Sequence, residues 1–204
     1  MKNGDLRTFL TKHQPSQSQK LLWFRDMASG LAYIHSRRVL VVDIASRNFL
    51  VDSDLSIKFC DFTESLIFPI ETDMNTAKVL GYTVQIDLHL LGAVFYEVVT
   101  GEKRQRIGHI CRRGKTLPST KDVWLGSVIE LCWTGGFHTA DSLLQALDSI
   151  HDVPEKEPQN QLVGEFLLSL NSFVTQRPTA VTMAGLFTMA ALLVWAQKRA
   201  RALV

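Results

Sequence analysis

The chain has 204 residues, of which 46% are hydrophobic and 21% charged, and its formal net charge is +2. This length and composition allow a substantial buried core, and the absence of an overall acidic or basic bias argues against nucleic acid as a partner. The three cysteines, at positions 60, 111 and 132, lack the paired spacing of a zinc site or a disulfide framework. We therefore expect a reducing, intracellular setting.

The first half of the chain predicts one amphipathic helix followed by short strands. Apolar residues recur at alternating spacings of three and four, which is the pattern of a helix with one buried face. That stripe consists of Leu21, Phe24, Ala28, Leu31 and His35. An apolar run at residues 39–42 then predicts a strand, and two further runs, at residues 49–51 and 57–60, flank a polar turn. The last two runs predict a β-hairpin.

Three oxygen-bearing side chains lie around this hairpin. Asp43 and Asn48 share the loop before it, and Asp61 follows its second strand, so the hairpin is expected to fold Asp61 back beside Asn48. A carboxylate and an amide oxygen suit Mg²⁺, which leaves Asp43 as a base. The alternative is that these loop residues only accept hydrogen bonds from the backbone of the turns.

Residues 41–48 and the pair Asp61-Phe62 resemble the protein-kinase signature, H-R-D-L-x-x-x-N followed by D-F-G. The resemblance implies that Asp43 accepts the proton of the substrate hydroxyl, and that Asn48 and Asp61 hold Mg²⁺ and ATP. Phe62 and Arg47 would support the site. Arg47 before Asn48, and Ala45 where serine/threonine kinases usually carry lysine, make the loop resemble that of tyrosine kinases. The resemblance still leaves both tyrosine and serine/threonine open as the phosphoacceptor.

The resemblance extends over about residues 1–150 and implies a fold class. Residues 4–10 resemble the hinge and first helix of the kinase C-lobe, and residues 86–101 resemble its buried helix. Asp87 matches the residue that in kinases holds the catalytic loop through backbone hydrogen bonds. Residues 131–133 and 141–150 resemble the closing helices. The expected fold is mainly α, a kinase-like C-lobe with a small β-hairpin region, plus a C-terminal apolar helix.

Departures from the family pattern define two functional hypotheses. Val41 and Val42 replace the His and Arg before Asp43, Thr63 replaces the glycine of D-F-G, and no Ala-Pro-Glu follows. Residues 137–139 read Phe-His-Thr where Arg-Pro-Thr is expected. Because the chain begins at the hinge, the N-lobe and its ATP contacts are expected to be absent. The first hypothesis is impaired ATP-dependent phosphotransfer to protein hydroxyls; the second is a pseudokinase that binds a regulatory protein without catalysis.

The last quarter of the chain has a different composition. Residues 151–161, which are polar and include two prolines, are predicted to form a linker, and residues 162–204 are predicted to form an apolar helical tail. Residues 180–196 carry no charge and would form a helix about 25 Å long, against a bilayer core of about 30 Å. Two interpretations stay open: a membrane span that anchors a cytoplasmic lobe by its tail, or an apolar helix packed on the lobe.

Overall fold

The structure, a computed structural model, describes residues 1–102 and 117–151. Its helices are α1 (Leu6–Leu10), α2 (Gln17–Ser36), α3 (Val84–Thr100), α4 (Gly126–Thr134) and α5 (Ala140–Asp148). Its strands are β1 (Val39–Leu40), β2 (Phe49–Val51), β3 (Ile57–Phe59) and β4 (Leu66–Ile67), and Ser46–Asn48 forms a 3₁₀ turn. The described part is therefore mainly helical with two small two-stranded sheets, as the sequence predicted at this level.

Helix α2 confirms the helix predicted from the apolar stripe. It begins after Ser16, whose hydroxyl oxygen accepts a hydrogen bond from the backbone N–H of Gln19 at 3.1 Å and so caps the first turn. All five stripe residues are buried. The helix ends at Ser36, and Arg38 in the left-handed region (φ 64°) turns the chain into β1.

The four strands form two antiparallel pairs, and one of these pairs is the predicted hairpin. Strand β2 pairs with β3 in antiparallel register, with Phe49 opposite Phe59 and Val51 opposite Ile57, which confirms the predicted hairpin. Strand β1 pairs with β4, but it is only two residues long. The strand predicted over residues 39–42 is therefore wrong in its second half, because the backbone amides of Val41 and Val42 donate to a side chain of α3 instead of a strand.

The core lies where α2, α3 and the hairpin meet. The rings of Phe24 on α2 and Phe95 on α3 stack with their centroids 4.1 Å apart, and both are fully buried. Helix α3 also packs against α4. The indole N–H of Trp23 donates to the carbonyl of Leu55 at 2.6 Å and so ties α2 to the hairpin loop.

The chain divides into two units, Met1–Glu155 and Lys156–Val204, and every described residue lies in the first. The predicted linker (apart from residue 151), the tail at residues 162–204 and the candidate membrane segment at residues 180–196 lie outside the described residues. Within residues 1–102 and 117–151, no helix is long and apolar enough to cross a membrane.

Candidate functional site

A buried carboxylate on α3 fixes the start of the loop that carries Asp43. Asp87 is 1% exposed and accepts hydrogen bonds from the backbone N–H groups of Val41 (2.8 Å) and Val42 (2.9 Å). It also lies 2.9 Å from Nε2 of His35 on α2. Since buried backbone N–H groups need acceptors, this carboxylate replaces the strand partner that these residues lack. Val42 is held at φ 70°, an uncommon conformation for a β-branched residue.

The 3₁₀ turn brings Asn48 and Arg47 onto the carboxylate of Asp43. The amide nitrogen of Asn48 donates to the backbone carbonyl oxygen and to Oδ2 of Asp43, each at 2.9 Å. Nη2 of Arg47 donates to both carboxylate oxygens of Asp43 and lies 2.7 Å from Oδ1. The orientation of Asp43 is therefore set by its own loop. Both side chains of the ion pair are partly exposed, so its contribution to stability is small.

The hairpin carries Asp61 to the same end of the sheet as Asn48. The backbone N–H of Cys60 donates to the carbonyl of Asn48 at 2.9 Å, one step beyond the Phe49–Phe59 pair. Asp61 follows at once, in the left-handed region (φ 62°). The predicted proximity of Asn48 and Asp61 therefore matches the register of the hairpin.

Thr63 holds the carboxylate of Asp61. Its hydroxyl and its backbone N–H donate to Oδ1 of Asp61, at 2.6 Å and 3.3 Å. These two hydrogen bonds, the one from the hydroxyl first, lower the pKa of the Asp61 carboxyl below its ordinary value. The residue that replaces the family glycine thus stabilises the charged form of Asp61.

These donor groups fit a Mg²⁺ ion that is shared with phosphates. Both amide hydrogens of Asn48 donate to Asp43, which leaves Oδ1 of Asn48 as an acceptor, and Oδ2 of Asp61 has no donor among the described residues. Within the same residues no group of three or more His, Cys, Asp or Glu side chains is placed to hold a metal alone. Mg²⁺ commonly takes one or two carboxylates and completes its shell with water and phosphate oxygens.

Phe62, which was also predicted to support the site near Asp61, lies toward the surface. The side chain of Phe62 is 46% exposed and lies outside the buried core of the described residues. Cys60 is partly buried, and burial, together with the negative charge of Asp61, raises the pKa of its thiol. Cys60 is therefore a poor thiolate nucleophile.

Sequence reasoning missed three residues beneath the turn: Arg7, Ser46 and Glu97. The hydroxyl of Ser46 donates to Oε1 of Glu97 at 2.8 Å and accepts from Nε of Arg7 at 3.1 Å. One signal was present in the sequence: Glu97 lies in the apolar stretch of residues 86–101, where a buried carboxylate requires partners. Its partners are 51 and 90 positions away.

Comparison with known proteins agrees with this geometry. The family described as protein tyrosine and serine/threonine kinase matches residues 1–78. Cysteine-rich receptor-like protein kinase 25 of Arabidopsis thaliana is 24% identical over 174 residues, covering 74% of this chain and 26% of its own length. Tyrosine-protein kinase JAK3 of Rattus norvegicus is 25% identical over 173 residues, covering 65% of this chain.

The name of a third relative includes both serine/threonine and tyrosine. Serine/threonine/tyrosine-protein kinase HT1 of Arabidopsis thaliana is 26% identical over 169 residues, covering 66% of this chain. The aligned part is 16% of the length of the rat relative and 40% of this one, so the chain spans less than half of each of the three. The match at residues 1–78 includes Asp43, Asn48 and Asp61. In its motif, its loop geometry and these matches, the chain is similar to members of the protein kinase family.

Proposed function

We propose that residues 1–150 form a kinase-like C-lobe that binds Mg²⁺ and ATP and transfers the γ-phosphate to a protein hydroxyl. The observation that supports this most directly is the hydrogen-bonded connection from Asp43 through Asn48 to the residue before Asp61. It joins one base and two oxygen ligands at one end of the hairpin. Phosphoryl transfer depends mainly on positioning and charge stabilisation, and this connection supplies the positioning.

Each residue has a separate task in this proposal. Asp43 accepts the proton of the substrate hydroxyl, with its carboxylate oriented by Arg47 and Asn48. Asn48 and Asp61 hold Mg²⁺ through their oxygen atoms, and Thr63 keeps Asp61 charged and oriented. Mg²⁺ held by these two residues would supply positive charge that offsets the charge of the phosphates. Asp87 maintains the loop that carries Asp43.

A non-catalytic, pseudokinase-like role is the second candidate. Large apolar side chains are exposed between residues 62 and 80, among them Ile67 (82% exposed) and Leu80 (81%). Exposed apolar surface often marks a site of protein interaction. Valine at position 42 also removes the arginine that in kinases receives a phosphate of the activation loop. A regulatory protein partner would then bind this surface.

A γ-phosphate transfer assay on the full chain separates the two candidates. We expect Asp43→Asn to lower the rate by about 10²-fold or more, the usual contribution of a general base. Asp61→Asn should weaken Mg²⁺-ATP binding. Asp54→Asn is the matched control, because Asp54 is also exposed and its Oδ1 also accepts from the backbone N–H two residues on, at 2.9 Å. Equal rates in wild type and Asp43→Asn would eliminate the catalytic proposal.

Thermal unfolding with and without Mg²⁺-ATP tests binding independently of turnover. A ligand at 100 times its dissociation constant adds about 2.7 kcal/mol to the free energy of unfolding. A shift that Asp61→Asn abolishes and Asp54→Asn retains supports the metal site. A shift without phosphate transfer would favour the pseudokinase role.

The acceptor and the tail complete the proposal. Arg47 and the tyrosine-kinase relative favour tyrosine, and an assay with a glutamate–tyrosine copolymer beside a serine-rich basic protein decides between the acceptor classes.

We propose residues 151–161 as a linker and residues 162–204 as a helical tail, with residues 180–196 as either a membrane anchor or a packed helix. Alkaline carbonate extraction of membranes distinguishes these, since complete release excludes an integral anchor.

A further inference from the structure

Three elements that are far apart in the sequence meet at the hydroxyl of Ser46. Ser46 opens the 3₁₀ turn, Arg7 lies on α1 and Glu97 on α3. The hydroxyl donates to Oε1 of Glu97 at 2.8 Å and accepts from Nε of Arg7 at 3.1 Å, while Nε of Arg7 lies 3.6 Å from the same Oε1. Both hydrogen-bonding capacities of the hydroxyl are therefore used in directed contacts.

Because Glu97 and Ser46 are buried, the carboxylate of Glu97 depends on the other two residues of this cluster. Ser46 is fully buried and Glu97 is 7% exposed, whereas the side chain of Arg7 is 38% exposed. A carboxylate removed from water needs both a counter-charge and hydrogen bonds. Arg7 supplies the first and Ser46 contributes the second. An alanine at position 46 would leave Oε1 of Glu97 with Arg7 alone, at the longer distance.

The opposite side of the same turn carries the proposed site. Ser46 is followed directly by Arg47 and Asn48, which contact the carboxylate of Asp43. The carbonyl of Asn48 also accepts from the N–H of Cys60, the residue before Asp61. A displacement of the turn at Ser46 is therefore transmitted both to Asp43 and to the end of the hairpin.

We propose that Ser46, held by Glu97 and Arg7, is a positioning residue that sets where Asn48 stands between Asp43 and Asp61. The link to metal binding rests on the proposed function, but the order of the turn does not. Ser46 and Glu97 touch no reacting atom; they act through the backbone of the turn. The loop is thereby fixed at two points, by Asp87 at Val41 and Val42 and by Glu97 at Ser46.

Backbone hydrogen exchange on the full chain tests the positioning without any ligand. In Ser46→Ala we expect faster exchange of the amides of Asn48 and Cys60, by about 5-fold or more for the loss of one hydrogen bond. The amide of Val51, which donates to the carbonyl of Gly4 at 2.9 Å on the same hairpin, should exchange as in wild type. Ser53→Ala, in the exposed hairpin loop, is the matched serine control.

Metal affinity is then measured with Mn²⁺ in the presence of ADP, by the electron paramagnetic resonance signal of Mn²⁺, which requires no turnover. We expect Ser46→Ala to weaken Mn²⁺ binding about 5-fold while the affinity for ADP without metal is unchanged. Glu97→Gln keeps an acceptor at Oε1 and should have a smaller effect. The double variant should be no worse than Ser46→Ala, because the hydroxyl through which Glu97 holds the turn is already absent in Ser46→Ala.

The outcomes distinguish the positioning role of Ser46 from the proposed Mg²⁺-ATP function. Selective loosening of Asn48 and Cys60 together with weaker Mn²⁺ binding supports the positioning role. If wild type fails to bind Mn²⁺-ADP but the loosening is found, the positioning stands and the proposed function fails. Unchanged exchange in Ser46→Ala overturns the positioning role. An equal rise in exchange at Asn48, Cys60 and Val51 also overturns it, since it would mean that Ser46 is only part of the core.

Discussion

Replacing Asp87 tests whether its carboxylate holds the start of the loop that carries Asp43. Asp87→Ala removes the only side-chain acceptor that the structure shows for the backbone N–H groups of Val41 and Val42, and also the partner of His35. Each of the two backbone donors left without a partner costs about 1–3 kcal/mol, so the loss should be about 2–6 kcal/mol. That is a large fraction of the roughly 5–15 kcal/mol by which domains are stable.

Asp87→Asn should be milder, for a reason that the geometry gives. Oδ2 of Asp87 serves Val41 and His35, and Oδ1 serves Val42. An asparagine has one acceptor oxygen and places its amide N–H groups on the other side, so in either orientation one backbone amide loses its acceptor. The expected cost is about 1–3 kcal/mol.

Urea unfolding of the full chain, followed by circular dichroism, measures both values. Asp73→Ala is the control: Asp73 is exposed and its Oδ1 accepts only from a loop amide, that of Asn75, so it should cost less than about 1 kcal/mol. Asp87→Ala within 1 kcal/mol of wild type, or Asp87→Asn as costly as Asp87→Ala, would refute the donor count.

Three further results are expected. Gly92→Ala should destabilise the chain by about 1–3 kcal/mol in the same assay, because its Cβ would lie 2.6 Å from Cβ of Cys132; a neutral effect would contradict this packing. Cys132 is fully buried, which raises the pKa of its thiol to about 12, whereas Cys60 is only partly buried. An alkylating reagent should therefore label Cys60 slowly in the native chain and Cys132 only after unfolding, as read by peptide mass spectrometry. Thr63→Val should raise the pKa of Asp61 toward its ordinary value in a titration followed by nuclear magnetic resonance, and an unchanged pKa would show that the hydroxyl does not hold the carboxylate.

Local patterns in the sequence were sufficient to predict helix α2 and the β2–β3 hairpin. The apolar stripe of α2 and the two apolar runs of the hairpin are local patterns, so each element can be predicted from the residues within it. The prediction that Asn48 and Asp61 lie at the same end of the hairpin followed from the hairpin alone. It required only that residues 49–51 pair with residues 57–59, which are a few positions away.

The errors and omissions concern contacts between distant residues. Residues 41 and 42 have the composition of a strand, but Asp87, 46 and 45 positions later, takes their amides and ends β1 at Leu40. Ser46 looks like an ordinary loop serine, and nothing near it in the sequence marks Glu97 as its acceptor. Such pairings depend on how α3 packs against the loop, which periodicity does not specify.

Asp87, whose carboxylate fixes the start of the loop, lies outside the residues that the kinase family model matches. Residues 1–78 contain Asp43, Asn48 and Asp61, whereas the carboxylate that fixes the loop is at position 87. During synthesis on the ribosome, which proceeds from the N-terminus at about 5–20 residues per second, the loop therefore emerges before the residue that orders it. Until α3 has been made and has docked, the chain carries the motif in its sequence without the site in its structure.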